Sequence, residues 1–144
     1  MKKISKEWIE DLKFSPDGQF LCVGSHDNKL YLYELTPAIK QVKKFGKSSS
    51  FITHIDWSQD SSAIRTNDGS YEILYYTIPD GTQDTGGASN WRNEIWNTQS
   101  NTLGWAMQGV WQPGQDGSDI NHADRTQGPL KNGQEVVATA NDDG

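Results

Sequence analysis

Residues 9–35 and 52–78 carry one pattern written twice, 43 residues apart. Ile9 falls on Ile52, Leu12 on Ile55, Phe14 on Trp57, Ser15 on Ser58 and Asp17 on Asp60; further on, Leu21 falls on Ile64, Leu30 on Ile73 and Tyr33 on Tyr76. Within each copy, short apolar runs are separated by Ser-Pro-Asp-Gly or its counterpart, then by His26-Asp27-Asn28 or Asp68-Gly69. Pro presets φ for a turn, Gly supplies positive φ, and Asp or Asn bonds its own backbone two residues on. Strand, turn, strand, turn, strand is a β-meander, with Asp17, Gly18, Asp27, Asp68 and Gly69 as its turn residues.

A third copy opens at Glu94-Ile95-Trp96 and resumes at 135–144, where Asp143 takes the place of Asp27. A period of roughly 40–45 residues with about four strands per unit is the mark of a propeller blade. The expected fold is therefore all-β: a partial β-propeller of four-stranded antiparallel blades. The expected divisions are an N-terminal segment (1–8), one blade (9–45), a second blade with a Gly-rich loop (46–90), and an interrupted third blade (91–144) cut at its second turn.

The segment 14–35 resembles a WD40 repeat. The more specific resemblance is to the echinoderm microtubule-associated protein-like family, carried by residues 23–35, 48–60 and above all 103–126, an insertion ordinary WD40 repeats lack. Tyr33-Glu34 and Tyr76-Thr77 stand where Trp-Asp would be, and Gly46-Lys47 where Gly-His would be. The buried His–Asp–Ser/Thr–Trp network of such repeats therefore cannot form here as it does there.

Three incomplete blades do not close a ring, since propellers need about four to eight. Repeat units bury their faces only against neighbours. The expectation is that the remainder of a propeller, or a neighbouring chain, completes this one.

Charge is uneven. Residues 1–50 hold nine Lys against six acids, whereas 51–144 hold four basic groups against thirteen acids. Nucleic-acid binding would need the opposite sign. Lys40, Lys43, Lys44 and Lys47 form a local basic cluster on the outer strand (38–45) and the loop after it. Two readings stay open: the cluster docks an acidic partner, tubulin being the one the resemblance implies, or it is a solvated edge strand that resists aggregation. The single cysteine, Cys22, precludes an internal disulfide and reads as a core residue. No apolar run approaches the length of a membrane span, and 1–12 lacks the apolar core of a signal peptide. The expected address is the cytoplasm and cytoskeleton, with cilium or axoneme added by the resemblance alone.

Further strands are expected at 51–57, 71–77 and 91–98, with the apolar run 103–111 able to pair with the last. Residues 79–90 read as a flexible loop and 112–133 as a long one. Asp116, Asp119, Asn121 and Asp124 offer oxygen ligands, but the EF-hand spacing fails and Asx-turns account for them equally. No metal or cofactor is expected. His26, His54 and His122 each have an Asp nearby without a nucleophile, and no G-x-S-x-G, H-E-x-x-H or C-x-x-C occurs, so catalysis is not expected. Trp91, Trp96, Trp105 and Trp111 crowd together; they are either blade core or, for Trp105 and Trp111, part of a partner-binding face. The resulting expectation is a non-catalytic scaffold that binds protein partners, microtubules being what the resemblance implies. The alternatives are a general WD40 adaptor in another complex and, further off, a propeller-fold enzyme fragment.

Overall fold

The computed structural model describes residues 3–107, 120–126 and 130–142. Two four-stranded antiparallel sheets dominate it. The first runs in order β1(Ile9–Phe14), β2(Phe20–Ser25), β3(Leu30–Glu34), β4(Lys40–Phe45). The second repeats this order with β5(Ile52–Trp57), β6(Ala63–Asp68), β7(Ile73–Thr77) and the two-residue β8(Thr82–Gln83). A two-stranded sheet pairs β9(Ile120–Arg125) with β10(Val137–Asn141). Between these lie a single-turn α1(Gly87–Asn90) and a 3-10 turn at Trp105–Met107.

The same turn closes the first hairpin of both full sheets. The hydroxyl of Ser15 accepts from Phe20 N at 2.9 Å, and that of Ser58 accepts from Ala63 N at 2.9 Å. Asp17 Oδ1 takes Gln19 N at 2.9 Å, and Asp60 Oδ1 takes Ser62 N at 3.0 Å. The left-handed position is Gly18 (φ 70) in one turn and Ser61 (φ 64) in the other. Thr126 repeats the hydroxyl clasp in the third unit, its Oγ1 accepting from Val136 N at 3.2 Å.

Strands β1, β5 and β9 also share one bulge, which skips Glu10, Thr53 and Asn121 in the pairing. The opening strand of the third unit is therefore Ile120–Arg125, not residues 94–96, and the expected loop 112–133 contains a strand. Nor is 91–98 a strand: it makes a single bridge, Trp96 to Ser58. The described part of the run 103–111 ends in the 3-10 turn. The 79–90 loop is pinned: Asp84 accepts from Gly86 N at 2.9 Å and from Trp91 Nε1 at 2.9 Å, and α1 lies against Tyr75.

The main core lies between the two full sheets. Cys22, Leu30, Leu32 and Phe45 from the first meet Ile52, Ile55, Trp57, Ile64 and Tyr76 from the second. Burial pushes the Cys22 thiol well above its usual range, as the core assignment requires. Three bonds stitch the sheets along their inner edge: Ile55 N to Asp11 Oδ2 (2.8 Å), Trp57 Nε1 to Lys13 O (3.0 Å) and Asp17 N to Ser61 Oγ (3.1 Å). Lys47 N donates to the Tyr76 hydroxyl at 3.1 Å. Thus the residue in the His place of the repeat meets, through its backbone, the residue in the Trp place of the next sheet.

Candidate protein-interaction site

The four lysines do not form one patch. Lys43 pairs with Leu32 and Lys44 with Tyr31, and successive residues of a strand project to opposite faces. Lys44 is also engaged. Its ammonium lies 3.2 Å from Asp27 Oδ2 and 4.7 Å from the centre of the Tyr31 ring. The Tyr31 hydroxyl donates to the same carboxylate oxygen. Hydrogen bonding to Tyr31 and Asp27 raises the Lys44 pKa. Burial pushes Asp27 up, but the Tyr31 hydroxyl and Lys44 outweigh it and hold the carboxyl below its ordinary value. Asp27, Tyr31 and Lys44 therefore form a polar cluster around the turn Asp in the absence of the usual His and Trp. Lys40, Lys43 and Lys47 are exposed and form no ion pair among the described residues.

The tryptophans divide. Trp57 and Trp96 are buried, whereas Trp105 is 51% exposed with the Arg92 guanidinium 3.6 Å from its ring centre. Trp111 lies outside the described residues, as do Asp143, Asp116 and Asp119. Asp68 Oδ1 accepts from Ser70 N and Glu72 N, both at 3.0 Å, closing the turn of β6 and β7. Gly69 permits that turn: a Cβ there would sit 2.6 Å from the Phe51 ring.

The segment leading to the insertion, at residues 98–101, is held by a cluster that the sequence pattern did not expose. Asp56, fully buried, receives Arg65 Nε (3.0 Å) and Nη2 (2.8 Å), Thr98 Oγ1 (2.6 Å), Ser100 N (2.9 Å) and Oγ (2.8 Å), and Asn101 N (3.2 Å). Arg65 is capped by the Trp96 ring, 4.8 Å from its Cζ. Farther along, Leu103 N donates to Asn67 Oδ1 at 3.0 Å. Residues 96–103 thus form a strap along the face of β5 and β6 turned away from the first sheet. Arg125 Nη2 reaches the strap at Trp96 O, 2.9 Å away. Both carboxylate oxygens of Asp56 are taken up by these six donors.

His26 pairs with Glu10 at 2.8 Å, and the His54 and His122 rings lie 5.6 Å apart. Among the described residues no group of three or more His, Cys, Asp or Glu could hold a metal ion, and no helix is long and apolar enough to cross a membrane.

The family model described as the echinoderm microtubule-associated protein second beta-propeller matches residues 1–144. The chain belongs to the echinoderm microtubule-associated protein family. It is 46% identical over 123 residues to human echinoderm microtubule-associated protein-like 2, covering 83% of this chain and 19% of that one. It is 39% identical over 140 residues to the ciliary WD repeat-containing protein ctxp80 of Euplotoides octocarinatus, covering 97% of this chain and 19% of that protein. Among solved structures, the WD40 repeats of RRP9 align with a TM-score of 0.53 at 15% identity, over 57% of this chain and 26% of theirs. The fold is thus that of a partial WD40 propeller, and the chain spans about a fifth of the length of the two relatives.

Proposed function

We propose that this chain is part of a non-catalytic protein-interaction scaffold that associates with microtubules in the cytoplasm and cytoskeleton. The observation that carries the proposal is the family match over the whole chain. A place in cilia or the axoneme extends the same reading, supported by the ciliary relative. Mechanism here means presentation: rigid sheets hold edge residues and turns at fixed positions for protein partners. A further blade, from a longer polypeptide or a neighbouring chain, packs on the outer face of the first sheet. The exposure of Leu12 (53%) and Phe14 (57%) there supports this, because apolar blade faces need a neighbour.

The test is co-sedimentation with polymerised tubulin across a salt series, with a self-aggregation control. The expected result is binding that weakens with salt and falls further when Lys40, Lys43 and Lys47 become Glu. A folded chain that stays in the supernatant would transfer the proposal to a general adaptor role.

A further inference from the structure

An exposed strip of aromatic rings crosses the turn-bearing edge of both full sheets. The Trp8 and His26 rings lie 5.6 Å apart, and His26 stacks on Phe51 at 4.4 Å with the planes 15° apart. Phe51 in turn sits against the turn at Gly69, where any side chain would collide with its ring. Beyond that turn stands Tyr71, held at φ 61, and Phe51, Gly69 and Tyr71 together line a cavity of about 410 Å³. Trp8 is 77% exposed and Tyr71 71%. Neither ring serves the core.

The strip is built rather than scattered. Trp8 O accepts from His26 N (2.8 Å) and Ser25 Oγ (3.1 Å), fixing the backbone that carries the indole. A contiguous exposed aromatic surface on a protein marks a contact site. Its charge selects the contact. Glu10 is bound to His26 and still 48% exposed, and Glu72 stands beside Tyr71, fixed by Ser49 N at 3.0 Å. Lys29, from the same turn as His26, is drawn away to Gly46 O at 3.1 Å. Aromatic faces with carboxylates at both ends attract a cation, and a guanidinium best, because it stacks on rings while donating to carboxylates.

We infer that this edge, from Trp8 through His26 and Phe51 to Tyr71, is a docking strip for an arginine-bearing segment of a partner protein. It is separate from the lysine-bearing strand β4, which suits a partner of opposite charge.

The test titrates the 144-residue chain into three fluorescently labelled peptides of alternating glycine with arginine, citrulline or glutamate, read by anisotropy. The expected result is saturable binding of the arginine peptide, weakened about tenfold by citrulline and by Trp8→Ala. Glutamate should abolish it. Glu10→Gln should weaken it and lessen its dependence on salt, whereas Ile39→Ala, at an exposed apolar side chain off the strip, should leave it unchanged. Because Trp8 and Ile39 are both exposed, loss in one and not the other separates the strip from general stickiness. Equal binding of arginine and citrulline peptides, equal loss in Trp8→Ala and Ile39→Ala, or no saturable binding would each overturn the inference.

Discussion

Ile52 packs against Gly24 so closely that a Cβ at position 24 would lie 2.6 Å from Ile52 Cγ2. This contact sets how near the second sheet approaches the first, and Gly24 is needed for space. Gly18 is needed for conformation instead: its φ is 70, but a Cβ at position 18 would meet nothing within 4 Å. Gly24→Ala should therefore cost about 1–3 kcal/mol through overpacking. Gly18→Asn should be nearly neutral, because Asn tolerates the left-handed region. Urea melts of both variants check this; equal losses would show that space at position 24 does not govern the junction.

Asp56 should be the costliest single polar position. Its two oxygens receive six donors with no exposure to water. Asp56→Asn puts an amide donor among donors and leaves Arg65 buried without its charge partner. The expected loss is about 3–5 kcal/mol. Replacing Arg65 by Met as well should recover only part of it, since the Ser100 and Asn101 amides donate to different oxygens of Asp56 and the single oxygen of Asn leaves one of them without its acceptor. Hydrogen exchange at one of those two amides should accelerate in both variants, and unchanged protection at both would show that the strap is held by something other than Asp56.

The two full sheets were legible because their punctuation is local. Ser15 and Asp17, like Ser58 and Asp60, close turns using groups within five residues of each other. The strap was not legible, because Thr98, Ser100 and Asn101 satisfy a carboxylate more than forty residues away. Periodicity carries no trace of such a bond, so the run around Ile95 and Trp96 imitated a strand. One signal was present: Asp56 pairs with Arg65 where the first copy has Lys13 opposite Cys22. Opposite charges facing each other on strands of a core imply a further polar element to cover them. Strand β9 escaped notice because INHADR has little apolar alternation, although Thr126 stands in the place of Ser15 and Ser58. The lysines were visible as a cluster, but the alternation of β4 and the tie between Lys44 and Asp27 divide them.

Lys44→Glu should behave differently from Lys43→Glu. The first reverses an ion pair with Asp27 and removes a cation from the Tyr31 ring; the second alters a side chain with no ion pair among the described residues. The Lys44 change should lower the melting temperature slightly, as exposed pairs do, and the loss should shrink as salt rises. Lys43→Glu should leave the melt unchanged. Thermal melts at low and high salt measure both, and a Lys44 penalty indifferent to salt would show that packing on Tyr31, not charge, holds this corner.

His54 links acid sensitivity to the junction between β5 and β9. Burial lowers its pKa below 6.5; the nearby charge of Asp11 opposes this, and His122 adds to it. Its Nδ1 is buried with no hydrogen-bond partner among the described residues. The unfolded chain therefore takes up this proton more readily than the folded one. Stability from the neutral ring is full above the unfolded value of 6.5 and is lost as pH falls through the lower folded value. The melting temperature should drop as pH falls through and below 6.5, and His54→Gln should flatten that drop. The carboxylates with lowered pKa values, Asp17, Asp27 and Asp60 among them, add a loss of the same sign only at lower pH, below their ordinary value of 3.8. The two windows are separable in one titration. A His54→Gln chain with the same slope as the parent in the upper window would show that this window does not belong to His54.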